Sequence, residues 1–153
     1  MKDSLKPGQV SELQFRIPRN KTVPFLYPES PEFAAMPEVF ATGFMVGLIE
    51  WACLEALRPH LDPGEGSLGT GIAVSHVAAT PPGMTVVVTV TCKAVEGRRI
   101  HWSIIARDEQ DVIGEGEHTR TVVTWERFLT RVAEKAAAVE EVETMVELEI
   151  GVG

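Results

Sequence analysis

Apolar and polar positions change period several times along this chain, and each change marks an element. Residues 40–58 (FATGFMVGLIEWACLEALR) are apolar on nearly every side until Glu50, which predicts one buried helix. Thr42 stands where a side chain could cap the first turn, and Pro59 stops the helix. After the turn cluster LDPGEGSLG the period falls to two. Over 68–78, Leu68, Thr70, Ile72, Val74, His76 and Ala78 share one phase, and Gly69, Gly71, Ala73 and Ser75 share the other. The bulky phase is expected to face the helix and to carry His76 inward. Residues 84–95 alternate Val86, Val88, Val90 and Cys92 against threonines and Val87, and 99–107 alternate Ile100, Trp102, Ile104 and Ala106 against polar residues. A last strand is expected over 112–125, with turns at Thr80-Pro81-Pro82-Gly83, Glu96-Gly97 and Asp108 to Asp111.

Before the helix, residues 8–17 read as a weaker strand through Val10, Leu13, Phe15 and Ile17. Residues 18–38 hold five of the ten prolines, so neither a long helix nor a central strand fits there. The same stretch carries Phe25, Leu26, Tyr27, Phe33 and Met36. An apolar loop stiffened by proline is either a lid over a pocket or a cover for the core, and the pattern leaves both open. Successive hairpins make an antiparallel sheet, and one very apolar helix needs wrapping. The expected fold is therefore α+β, a hot-dog: a curved antiparallel sheet wrapped around one long helix. Residues 1–130 would form that domain, and 131–153 a C-terminal helix and acidic tail, solvated or frayed at its end.

Composition adds limits. The chain has 153 residues, enough for one domain with a real core. Hydrophobic content of 44% and charged content of 24% exclude disorder as the main state. The net charge of −8 argues against a nucleic-acid partner. Residues 137–153 hold five Glu and no Lys or Arg, so −5 of the −8 belongs to the tail and −3 to the other 136 residues. A domain so mildly acidic can still bind an anion. Cys53 and Cys92 form no CxxC pair and sit in apolar patterns, as buried thiols would. The start, MKDSLKPGQ, has no apolar signal region, and the longest apolar run, Val39 to Ile49, is too short to span a membrane. A cytoplasmic protein without a membrane partner is expected.

Some residues suggest chemistry. Gly64-Glu65-Gly66-Ser67-Leu68-Gly69 matches GxGxxG, but a helix precedes it and a strand follows. That is the reverse of a dinucleotide site, so these glycines are read as turn and close-approach residues. Ser67 lacks a GxSxG context, and the four histidines lack metal-ligand spacing. Glu50 is the only charge between Val39 and Cys53. Its carboxylate loses hydration there, which raises its pKa unless a partner compensates. Thr42 lies eight residues earlier, within about 80° of it on the helix. An inward imidazole, a desolvated carboxylate and a hydroxyl at a helix N-terminus are what acyl transfer needs. Each alone has a plain structural reading: a core histidine, an ion-paired carboxylate, an N-cap.

Four segments carry a family resemblance: 25–33 (FLYPESPEF), 37–53 (PEVFATGFMVGLIEWAC), 63–83 (PGEGSLGTGIAVSHVAATPPG) and 95–99 (VEGRR). Over residues 7–130 the chain closely resembles the fluoroacetyl-CoA thioesterases of the hot-dog superfamily. The resemblance implies hydrolysis of a short acyl-CoA thioester, with no cofactor. It implies Thr42, Glu50 and His76 as catalytic, Gly69 and Arg120 near the acyl end, and Phe33 in a lid. It also implies a homodimer with acyl-CoA at the subunit interface. That family's lid carries a second aromatic where this chain has Met36, a flexible side chain that keeps the pocket apolar and gates it less tightly. Other hot-dog domains are hydratases with a His/Asp pair, which Thr42 and Glu50 do not match, or acyl-CoA sensors joined to DNA-binding regions. A general short acyl-CoA thioesterase and a non-catalytic acyl-CoA binder remain as alternatives. Two basic groups, Arg16/Arg19/Lys21 and Arg98-Arg99, are available either to CoA phosphates or to solvent.

Overall fold

The computed structural model describes residues 1–150. Five strands form one antiparallel sheet: β1 (Val10–Arg16), β2 (Glu65–Val74), β3 (Thr85–Glu96), β4 (Arg99–Arg107) and β5 (Val112–Thr124). Their order across the sheet is β1-β3-β4-β5-β2, which leaves β1 and β2 as open edges. A four-residue helix, α1 (Pro31–Ala34), lies in the proline-rich segment beside short 3-10 turns at Arg19–Lys21 and Val23–Phe25. The long helix, α2 (Thr42–Leu57), packs on the sheet, and α3 (Trp125–Ile150) follows β5 directly. This is the expected hot-dog arrangement.

The core lies between α2 and the sheet. Met45, Leu48, Ile49, Ala52, Cys53 and Leu57 of α2 are buried. Opposite them lie Val86, Val88, Val90, Ile100, Trp102 and Ile104, the apolar phases of β3 and β4. Burying a Val, Leu or Ile side chain contributes about 1.5–3 kcal/mol, so this interface dominates the stability of the domain. Both cysteines are free and buried. No helix among the described residues is long and apolar enough to cross a membrane.

Strand β2 departs from expectation in two ways. It spans Glu65–Val74 rather than 68–78, so His76 lies beyond its end. Its register against β5 also shifts between Gly69 and Gly71. A bulge moves one residue out of the alternation, so the two halves of the strand present opposite phases to the helix. Before the bulge Ser67 and Gly69 face inward, paired with Val122 and Arg120; after it Ile72 does, paired with His118. Leu68 therefore does not share a face with Ile72, and Ile72 remains exposed at the strand edge.

From Ala137 on, the described residues of α3 are exposed where burial is assigned, as a solvated helix would be. The expected tail residues 151–153 lie outside the described residues.

Candidate active site

Thr42 is not the cap of α2. Ala41 takes that position, and Thr42 is the first helical residue. Its hydroxyl instead reaches Nδ1 of His76 at 2.8 Å. The first N–H groups of the helix have no helical carbonyl to donate to, so the helix end beside this pair carries partial positive charge. Phe40 packs edge-on against the imidazole, with ring centroids 6.3 Å apart. Nε2 of His76 is buried and makes no hydrogen bond among the described residues. Burial lowers the pKa of this ring, which keeps it neutral and able to accept a proton.

A second cluster lies two turns along the helix. Arg120, on β5, is buried, and its Nη1 donates to Oε1 of Glu50 at 3.1 Å. Here is the partner that a carboxylate on an apolar helix requires. Nε of Arg120 donates to Oγ of Ser67 at 2.8 Å, and Nη2 to the Ser67 carbonyl at 2.9 Å. Nη1 also lies 3.2 Å from Nε2 of His118. Nδ1 of His118 is 2.7 Å from the carbonyl oxygen of Gly71. That carbonyl can only accept, so Nδ1 carries the proton and Nε2 accepts from Arg120. Burial is the main cause that lowers the pKa of His118, and the charge of Arg120 adds to it.

The carboxylate of Glu50 opens onto a pocket of about 260 Å³ lined by Val46, Gly69, Thr70, Gly71, Ile72 and His118. Its side chain is 41% exposed, while that of Arg120 is 4% exposed, so the acid meets solvent and the base does not. A Cβ at Gly69 would collide with Oε1 of Glu50, and one at Gly66 would collide with the ring of Trp125. Gly64 has φ of +80°, in the turn before β2. All three glycines thus serve turn or close approach, as the order of elements around them predicts. Ser30 caps α1 by accepting from the N–H of Phe33. Phe33 stacks on Tyr27 at 5.9 Å, and Met36 is exposed. Neither Phe33 nor Met36 lines the Glu50 pocket.

A family model described as fluoroacetyl-CoA-specific thioesterase matches residues 27–126. The chain belongs to this family. A fluoroacetyl-CoA thioesterase of Streptantibioticus cattleyicolor is 56% identical over 138 residues, covering 90% of this chain and 99% of that protein. A crystal structure of a fluoroacetyl-CoA thioesterase superposes with a TM-score of 0.86 at 56% identity, covering 87% of this chain and 98% of the other. A thioesterase-superfamily protein of Thermus thermophilus superposes with a TM-score of 0.77 at 26% identity, covering 89% of this chain and 98% of the other.

In this member of the fluoroacetyl-CoA-specific thioesterase family, the five residues singled out on α2, β2, β5 and the loop after β2 fall into two groups. Thr42 meets His76, and Glu50 meets Arg120 and Gly69. No hydrogen bond joins the groups among the described residues. The sequence reading missed His118, and it weighed Ser67 only as a nucleophile. One signal for His118 was present: it shares the inward phase of β5 with Arg120 and Val122. Nothing local marks Ser67, whose role depends on where Arg120 lands.

Proposed function

We propose that this chain hydrolyses a very short acyl-CoA thioester, fluoroacetyl-CoA, to the carboxylate and free CoA. One observation carries the reading. Arg120 holds Glu50 by Oε1 beside a small pocket, and Oε2 makes no hydrogen bond among the described residues. A fixed carboxylate with one free oxygen is suited to attack a thioester carbonyl or to draw a proton from water. In the first case the thiolate leaves and water cleaves the resulting anhydride; in the second, water adds directly. Thr42 and the N-terminal N–H groups of α2 hold the carbonyl oxygen as it gains charge. His76 takes a proton from the attacking water and passes it to the CoA thiolate. Gly69 meets the small α-substituent through a backbone N–H, Arg120 adds a fixed charge from behind Glu50, and a lid that includes Phe33 and Met36 closes over the assembled site rather than over this pocket in one chain. The reaction needs no cofactor.

Thr42 and Glu50 are about 12 Å apart along one helix, too far for both to touch one carbonyl. A homodimer closes the gap. Pairing of the open β2 edge with a second copy brings the Thr42–His76 pair of one subunit toward the Glu50 pocket of the other. Family membership supports this assembly, and so does an exposed edge strand, Gly69 to Ala73, in which three of the five residues are Gly or Ala and the apolar Ile72 is uncovered.

Thiol release measured across acetyl-, fluoroacetyl- and longer acyl-CoAs tests the reading. Turnover is expected to be highest for the shortest acyl groups and to fall in Glu50→Gln. Saturable binding without thiol release would instead make the chain an acyl-CoA binder.

A further inference from the structure

Three arginines converge on a hollow outside the Glu50 pocket. Arg98 comes from the turn between β3 and β4, and Arg127 and Arg131 from the first turns of α3. With Thr121, Thr124 and Phe128 they line a cavity of about 240 Å³. Arg127 and Arg131 are four residues apart and so stand on one helix face. Neither belongs to an ion pair among the described residues, where the arginines in pairs are Arg19, Arg58, Arg98 and Arg120. Arg98 reaches Glu65 at 3.1 Å, in a cluster where Glu65 and Asp62 balance Arg98 and the N-terminal amine, so the unbalanced charge of the hollow is that of Arg127 and Arg131. The hollow therefore carries surplus positive charge. Like charges gathered around one cavity repel each other unless an anion sits among them.

This hollow adjoins the Glu50 pocket. Thr70 lines that pocket, Thr121 lines the hollow, and their hydroxyl oxygens are 3.0 Å apart. The other basic group in the sequence is already engaged. Arg19 pairs with Glu38 at 2.6 Å, Lys21 lies 4.8 Å over the ring of Phe44, and Arg16 donates to the Gly83 carbonyl at 3.1 Å.

We infer that the hollow formed by Arg98, Arg127 and Arg131 binds the phosphate groups of the CoA moiety. Guanidinium forks match phosphate oxygens in geometry and charge. The inference rests on the acyl-CoA thioesterase reading for its ligand.

Two measurements test it, one independent of catalysis. Calorimetry compares binding of adenosine 3′,5′-bisphosphate to the full chain and to the double variant Arg127→Gln/Arg131→Gln. Glutamine keeps the helix propensity of α3. The double variant is expected to bind about tenfold more weakly, and the wild-type affinity to fall with salt. In kinetics, kcat/KM for acyl-CoA should fall about tenfold through KM, and that for the matching acyl-pantetheine should change less than about twofold. Equal bisphosphate binding by the two proteins would overturn the inference. So would an equal kinetic loss on acyl-pantetheine, or inorganic phosphate competing as strongly as the bisphosphate. If the wild type binds the bisphosphate through these arginines but cleaves neither thioester, the site stands and the thioesterase reading fails.

Discussion

Nη1 of Arg120 donates to Oε1 of Glu50 at 3.1 Å, tying β5 to the middle of α2. That bond aims one carboxylate oxygen and leaves the other to the pocket. In Glu50→Gln the amide oxygen still accepts from Arg120, so the fold should hold. The proposed nucleophile or base is then gone, and kcat/KM should drop at least about tenfold. Full activity in this variant, with an unchanged melting temperature, rules out the mechanism.

Arg120→Leu should behave differently. It strands both acceptors of Ser67 and Nε2 of His118, which are buried with it. Buried groups left unpaired cost about 1–3 kcal/mol each. Denaturant unfolding should therefore show a loss of at least about 2 kcal/mol, together with lost activity. A variant as stable as the parent would mean that Ser67 and His118 find other partners.

At the helix N-terminus, Thr42→Ala and His76→Ala should each lower kcat/KM at least about tenfold. Thr42 caps nothing, so its loss should barely move stability. A large fall in melting temperature for Thr42→Ala would give the hydroxyl a structural role instead.

Gly69 and Gly71 offer a matched comparison. A Cβ at Gly69 collides with the Glu50 carboxylate, whereas a Cβ at Gly71 meets Thr119 at an ordinary 3.5 Å. Gly69→Ala should displace Glu50, costing activity and melting temperature. Gly71→Ala should leave the melting temperature within about 2 °C, since no close contact forms. Equal melting temperatures for the two variants would mean that Glu50 moves aside freely.

Stability should also depend on pH through His76 and His118. Burial lowers both pKa values below the ordinary value of about 6.5. The unfolded chain then binds protons that the folded chain does not, so stability falls as pH drops below about 6.5. The melting temperature should decline between about pH 6.5 and 5, above the range where carboxylates protonate. His118→Gln should flatten that decline, and an unchanged slope would show that His118 does not titrate there.

In the proposed reading Met36 belongs to the lid over the acyl group and so bears on selectivity. Fluorine is close to hydrogen in size, so pocket shape alone separates fluoroacetyl from acetyl weakly. A tighter lid should add discrimination. Met36→Phe is expected to raise the ratio of kcat/KM for fluoroacetyl-CoA over acetyl-CoA, and an unchanged ratio would remove the lid from the account.

Taken alone, the sequence determined the elements and most of their facing. Helix α2 was legible because nearly all its sides are apolar, and β3 and β4 because their valines and isoleucines alternate without interruption. Glu50 stood out because a charge in an apolar run needs a partner. That partner was not legible from spacing, because Arg120 is 70 residues away and meets Glu50 only when β5 closes on α2. Tertiary structure also decided the phase of β2. The bulge at Gly69–Gly71 depends on registry with β5, and glycines carry no side chain whose alternation could reveal it. The same holds for the three arginines: local sequence places them in a turn and a helix, and only the closed sheet brings their charges to one hollow. Local periodicity reports which way a side chain faces, and long-range pairing decides what it meets.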